Sequence, residues 1–334
     1  MKIDFLDELK GKKNLLAFSH GTDSTALFYA LLDNCEFDLC LVNYHTRINS
    51  DEEEEKARNL AKKYGKNIYI KHANLAQNNF ENNARNYRYE FFDELMCNYD
   101  NLIIAHNLND RFEWFLMQFA KGAGLCNLLG FNGIDNRKNY KIIRPLINVS
   151  KDEIMQYLEQ NKYEYFQDES NFDTKYKRNE IRLKYANEFI NSYSNGVKNT
   201  LNYLENDKSK ICKDAFSYKG IYFCLNENAI DKAIKKLGFI SSTKQKIELK
   251  NLLAKNNEAE LYFGRNCVCV CVYKGYFLVF LKAIFKLSKN QKEMFRIAKV
   301  PKNLRFFLAL HNISLSELSN NLKFKNLKQE FEII

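Results

Sequence analysis

Long hydrophobic runs are missing from this 334-residue chain. No stretch approaches the ~20 consecutive apolar residues that a bilayer-crossing helix needs. The opening residues, MKIDFLDELKGKK, carry charges and no apolar core, so they do not read as a secretory signal. A cytoplasmic protein is expected, with no membrane partner. Cysteine occurs nine times but never as a C-x-x-C pair, which speaks against a zinc ribbon or an iron–sulfur cluster and for reduced thiols. Proline occurs twice, too rarely to mark a linker, and no internal repeat is visible. The Walker pattern G-x-x-x-x-G-K-[ST] is absent as well.

What remains is a globular composition, 46% hydrophobic and 28% charged, long enough for two domains. Its net charge of +10 is uneven. Residues 205–334 hold 24 Lys and Arg against 12 Asp and Glu, a net of +12, and the remainder is nearly balanced. A clustered excess of this kind suits a polyanion, and it equally suits a solvated surface. Charge alone leaves both open.

Apolar runs and amphipathic segments alternate through the first half. NLLAF (14–18), FDLCLVN (37–43), NIYIK (67–71) and Leu102–Ala105 read as strands. Residues 25–34, 51–65, 81–97 and 109–120 read as helices, with a further helix at SKDEIMQYLEQN. That order predicts an α/β fold with a doubly wound, mostly parallel sheet. Residues 178–206 read as helical, and beyond them one strand pair, RNCVCVCVYKGYFLVFLK, turns at Lys274-Gly275. Its alternating Cys267, Cys269 and Cys271 are expected on one strand face. The main boundary is placed near 205.

Ligands of open parallel sheets bind at the carboxyl ends of the strands. The turn after the first strand, Ser19-His20-Gly21-Thr22-Asp23-Ser24, offers small residues and backbone amides at a helix start, a setting for phosphate. Asp23 there suits a phosphate-bridging magnesium ion, and an ordinary helix cap uses the same residue types. Asp110 and Glu113 lie i, i+3 on the first turn of their helix, so their carboxylates share a face. They suit magnesium, the ammonium groups of a cationic substrate, or the helix dipole. Arg85 with Arg88 and Arg178 with Arg182 are helical pairs that suit phosphate or solvent. His106 sits at the end of the fourth strand. Trp114, Phe115 and Phe119 are assigned to packing.

SHGTDS resembles the S-G-G-x-D-S signature of the PP-loop ATP pyrophosphatases, with His20 where that family has glycine. Five further segments resemble the lysidine synthase branch: YHTR (44–47), ENNARNYRYEFF (81–92), IAHNLNDRFEWFLMQFAKGAGLCNLLG (104–130), RPLINVSKDEI (144–154) and FQDESNFDTKYKRNEIR (166–182). Asn107 and Asn109 depart from the usual His and Asp of the third. The resemblance implies a PP-loop catalytic domain over 1–204, with a helical tail from about 178, and a helical and small α+β region over 205–334 that binds tRNA. It implies ATP as substrate, held by Ser19, His20, Gly21, Thr22, Asp23 and Ser24. It further implies Mg2+ on Asp23 and Glu113, and catalytic or substrate roles for Asp23, Arg85, His106, Asp110, Glu113 and Arg178. The partners implied are free L-lysine and a tRNA(Ile) with a CAU anticodon. The oligomeric state stays open, a homodimer being one arrangement. A PP-loop tRNA thiolase and a non-catalytic RNA- or nucleotide-binding module are the competing readings. Those thiolases generally need catalytic cysteines or a cluster.

Overall fold

The strand β1 (Asn14–Ala17) is apolar on both faces because both faces of its sheet are covered. Leu16 packs with Leu27, Phe28 and Leu31 of the following helix, whereas Leu15 points the other way toward Phe91, Phe92 and Met96. The computed structural model describes residues 1–46, 50–75, 79–137, 139–166, 177–211, 215–255 and 260–322. They form two compact units, Met1–Glu205 and Asn206–Ile334.

In the first unit a short helix α1 (Leu6–Leu9) precedes β1. Then come α2 (Thr22–Leu31), β2 (Phe37–Asn43), α3 (Ser50–Lys63), β3 (Ile68–His72), α4 (Phe80–Leu95), β4 (Asn101–Ile103), α5 (Leu108–Phe119), α6 (Leu125–Leu128), β5 (Ile134–Asn136), β6 (Lys141–Ile143) and α7 (Lys151–Asn161). The helix α8 (Lys177–Ile181), a π-helical turn Arg182–Ala186 and α9 (Asn187–Ile211) follow. The sheet order is β3-β2-β1-β4-β6-β5, parallel except for the β5–β6 pair. The chain winds outward from β1 to β3, then crosses back to place β4 on the other side of β1. This reversal opens a crevice above the carboxyl ends of β1 and β4.

The second unit is richer in strands than its sequence predicted. Beside the hairpin β10 (Val268–Tyr273) and β11 (Tyr276–Leu281) lie β7 (Ala215–Tyr218), β8 (Ile221–Cys224) and β9 (Glu260–Phe263), in the antiparallel order β7-β8-β11-β10-β9. Each added strand is four residues long, too short for a period to show. Lys274 and Gly275 both take positive φ, 49° and 82°, as a two-residue turn of this hand requires. Cys269 and Cys271 do share a face, packed on Phe295, Leu304, Phe307 and Leu308 of the helices Lys289–Ile297 and Lys302–Leu310. Cys267 precedes the strand and is exposed. Val268 and Val270 cover the opposite face with Ile230 and Ile234.

The packing assignment in α5 holds for Phe115, which packs against the cluster around Leu108 and Phe112, and needs correction for Trp114 and Phe119. Trp114 is 39% and Phe119 65% exposed, with Phe115 half-buried. The inward face of that helix is Leu108 and Phe112.

Candidate active site

The turn after β1 is shaped by a left-handed residue. His20 has φ 56°, a conformation that glycine adopts freely and other residues at a cost of about 1–2 kcal/mol. Its carbonyl accepts from the Phe166 amide at 2.9 Å. Gly21 then caps α2 with extended backbone and no side-chain hydrogen bond, so no side chain satisfies the first-turn amides. Ser24 Oγ donates to the Gly21 carbonyl at 3.1 Å and accepts from the Ser19 amide at 3.3 Å, which fixes the loop from within.

A cleft of ≈ 330 Å³ opens over this turn. Its walls bring together Ser19, Gly21, Thr22, Asp23 and Ser24 with Arg85 and Arg88 of α4, and with His106 and Asp110 at β4–α5. Three expected residues, His20, Glu113 and Arg178, are not in its walls. His20 is 5% exposed, its ring edge-on to Phe18 at 5.7 Å and its Nδ1 without a partner. Burial lowers its pKa, so it contributes backbone shape and no imidazolium to the cleft. Glu113 is 1% exposed on its side chain and accepts from Arg182 Nε at 2.6 Å, Arg182 Nη2 at 3.0 Å and Arg178 Nε at 3.1 Å. Its assignment to magnesium is therefore corrected: both oxygens are committed to guanidiniums, and burial raises its pKa against their pull.

Asp110 faces the cleft. Its Oδ2 accepts from the Asn107 amide at 3.1 Å while Asn107 Oδ1 accepts from the Asp110 amide at 3.0 Å, a reciprocal cap on α5. Arg178 Nη2 donates to its Oδ1 at 2.7 Å. Burial works to raise this carboxyl, yet Arg178, His106, the Asn107 amide and Arg182 together hold it below its usual value. Arg178 lies near the start of α8 and Arg182 opens the π-helical turn that follows it, an irregularity that often marks a functional site. Both departures from the family pattern have structural work. Asn107 is the cap, and Asn109 Oδ1 accepts from the Lys151 amide at 3.0 Å while its amide donates to Asn187 at 3.3 Å.

Sequence reasoning missed Lys151. Its ammonium donates to Asp23 Oδ1 at 2.7 Å across 128 positions of chain. Burial raises the Asp23 pKa, and Lys151 opposes that shift. The signal was available in RPLINVSKDEI, where Ser150 caps α7 and so aims Lys151 from the first turn. Arg144, in the same segment, donates from Nε to His106 Nδ1 at 3.1 Å. Beside the cleft, Tyr44 and Thr46 of the YHTR segment line a second hollow with Asn43, Ser50 and Arg88. Arg47 and residues 167–176 lie outside the described residues.

A reversal of strand order with an uncapped helix over it is the ligand-binding crevice of a doubly wound α/β fold, and the PP-loop domain model, matching residues 2–189, places the chain among PP-loop proteins. Similarity also runs along nearly the whole chain. The tRNA(Ile)-lysidine synthase of Campylobacter jejuni strain RM1221 is 43% identical over 96% of this chain and 99% of that protein. That of Helicobacter pylori strain 26695 is 38% identical over 90% of each. The Wolinella succinogenes enzyme is 35% identical over 90% of this chain and 93% of its own. The chain belongs to the PP-loop family and, within it, to the tRNA(Ile)-lysidine synthases.

Proposed function

We infer that this chain joins L-lysine to C2 of the wobble cytidine in a tRNA(Ile) with a CAU anticodon, converting ATP to AMP and pyrophosphate. The cytidine O2 attacks the α-phosphorus and pyrophosphate leaves. The ε-amine of lysine then adds at C2 and expels AMP, giving lysidine, so the anticodon reads AUA instead of AUG. The supporting observation is the uncapped start of α2 beside Asp23 at the sheet's switch point, with Arg85 and Arg88 facing it. Amide donors and guanidiniums placed ahead of time can hold the charge of a pentavalent phosphate without reorganising.

Magnesium fits this site as an ion that arrives with the nucleotide. The described residues contain no group of three or more His, Cys, Asp or Glu able to cage a metal, and magnesium typically needs only one or two carboxylates plus phosphate oxygens. Asp23 would be its protein ligand, and the ion would neutralise phosphate charge. Asp110, ionised and facing the cleft, suits the lysine ammonium. A loop cytidine is unpaired and enters such a pocket at little cost. The basic residues of 206–334 would grip the tRNA backbone.

A thiolase reading finds no thiol chemistry here. Among the described residues the cleft holds one cysteine, Cys40, whose thiol burial pushes far above its ordinary range. The test is incubation with radiolabelled lysine, ATP, magnesium and CAU-anticodon tRNA, followed by RNA digestion. Labelled nucleoside is expected, and Asp23→Ala should abolish it while the protein stays folded. Full incorporation by that variant would remove the phosphate-site assignment.

A further inference from the structure

Arg144 is 3% exposed, yet it neither lines the cleft nor fills the apolar core. Its guanidinium is held at two other points: Nη1 donates to Asp135 Oδ2 and to the Asn132 carbonyl, both at 2.7 Å. Asp135 is itself fixed by Asn132 Nδ2 at 3.2 Å. Its Nε meets His106 Nδ1 at 3.1 Å. Phe131 completes the clamp, with the His106 ring stacked on it at 4.7 Å and the guanidinium over it at 5.1 Å. An arginine always donates, so the ring nitrogen that meets it must accept. A neutral imidazole accepting at Nδ1 carries its proton on Nε2.

We propose that Arg144 is a positioning residue for the adenylation site: braced by Asp135, it sets His106 as the Nε2–H tautomer, a hydrogen-bond donor to an oxygen of the nucleotide or base in the cleft. The substrate identity rests on the function inferred above, and the tautomer does not. No described protein group accepts from Nε2, and the ring borders the cleft. His106 therefore cannot take a proton from lysine through Nε2, and Nδ1 is occupied. Its surroundings keep it neutral. Burial, Arg144, Arg178 of α8 and Arg88 of α4 oppose protonation, and Asp110 of α5 alone favours it, leaving a pKa of about 4. The device resembles a carboxylate that fixes a histidine tautomer, with the opposite sign: a cation in place of an anion selects the other nitrogen.

The test uses the full-length protein labelled with 15N-histidine. Two-bond proton–nitrogen correlation spectra separate the tautomers, and the signal missing from His106→Gln assigns the ring. The wild type should show His106 as Nε2–H throughout about pH 8 to about pH 5.5. A ring protonated on Nδ1, or one exchanging between forms, overturns the proposal before any Arg144 variant is made. In Arg144→Gln, paired with Asp135→Asn to avoid a stranded charge, the His106 signals should average both tautomers. Turnover should then fall at least about tenfold, as loss of an oxyanion donor does, with KM for ATP changed by less than about twofold. Unchanged turnover, or lost turnover with the tautomer intact, would also overturn it. If the chain makes no lysidine at all, the spectra still decide the tautomer.

Discussion

Replacing Glu113 by Gln separates the arrangement seen here from a metal-ligand role. The carboxylate receives three N–H donors between 2.6 and 3.1 Å from Arg178 and Arg182, with 1% of its side chain exposed. An amide keeps the volume but turns an NH2 toward a guanidinium, so at least one charge-assisted bond becomes a donor–donor contact. Such bonds contribute about 1.5–3 kcal/mol each, and breaking a buried ion pair costs about 3–5 kcal/mol. Asp110 offsets part of this, since its Oδ1 lies 2.7 Å from Arg178 and 3.8 Å from Arg182. A loss near 3 kcal/mol is expected, roughly 6–12 °C in the melting of a unit of this size. Thermal unfolding and lysidine formation should be measured across a magnesium titration. Melting and turnover should both fall while the half-saturating magnesium concentration stays put. An unchanged melt with a tenfold rise in the magnesium requirement would refute the reasoning.

Four other outcomes are expected. His20→Gly should be more stable in urea than His20→Ala by about 1 kcal/mol, because only alanine keeps the strain at φ 56°; equal midpoints would deny that strain. Lys151→Met should cut kcat/KM for ATP at least about tenfold while shifting stability by less than about 1 kcal/mol, since both partners of the Asp23 pair are about one-third exposed. His106 has its folded pKa lowered to about 4 from 6.5, so its contribution to stability is complete above about pH 6.5 and is lost as pH falls toward about 4. Urea unfolding of the wild type against His106→Gln should show the gap closing over that window and no other. Finally, tRNA affinity should fall steeply with salt, and Lys302→Glu in the second unit should lower the slope of log K against log salt by about 1–2; a flat salt response would exclude a phosphate-gripping role.

The parts of this molecule legible in the sequence are those written in local periods. β2 coincides with FDLCLVN, and the starts of α4, α5 and α7 fall within a residue of their expected places. The phosphate turn was legible too, because small residues between an apolar run and a helix leave few alternatives. Pairings between distant segments were not. Lys151 reads as an ordinary first-turn residue until β1 and α7 are brought together, and Arg144 reads as the end of a strand until it reaches His106. His20 misled in another way. It was expected among the ATP-holding residues, but at positive φ its ring lies against Phe18, buried away from the cleft. The exposed Trp114 and Phe119 show the converse: residue type suggested packing, and the helix face overruled it.

Two helices begin above the switch point, and their different ends divide the labour of the cleft. At α2 the cap residue is Gly21, which has no side chain to satisfy the amides. The dipole and the free N–H groups there favour an anion. At α5 the cap is occupied: Asn107 and Asp110 satisfy each other's backbone, and Asp110 adds a fixed negative charge. A phosphate placed against α5 would meet that carboxylate and find few amides to bind, whereas an ammonium would find a partner. The same crevice thus favours an anion over β1 and a cation over β4, which on the function proposed above would be the triphosphate and the lysine. The asymmetry follows from two residues, a glycine at one cap and an asparagine at the other. Exchanging the cap, by Asn107→Gly, should weaken lysine use while sparing pyrophosphate release, and a variant that lost both equally would argue against this division.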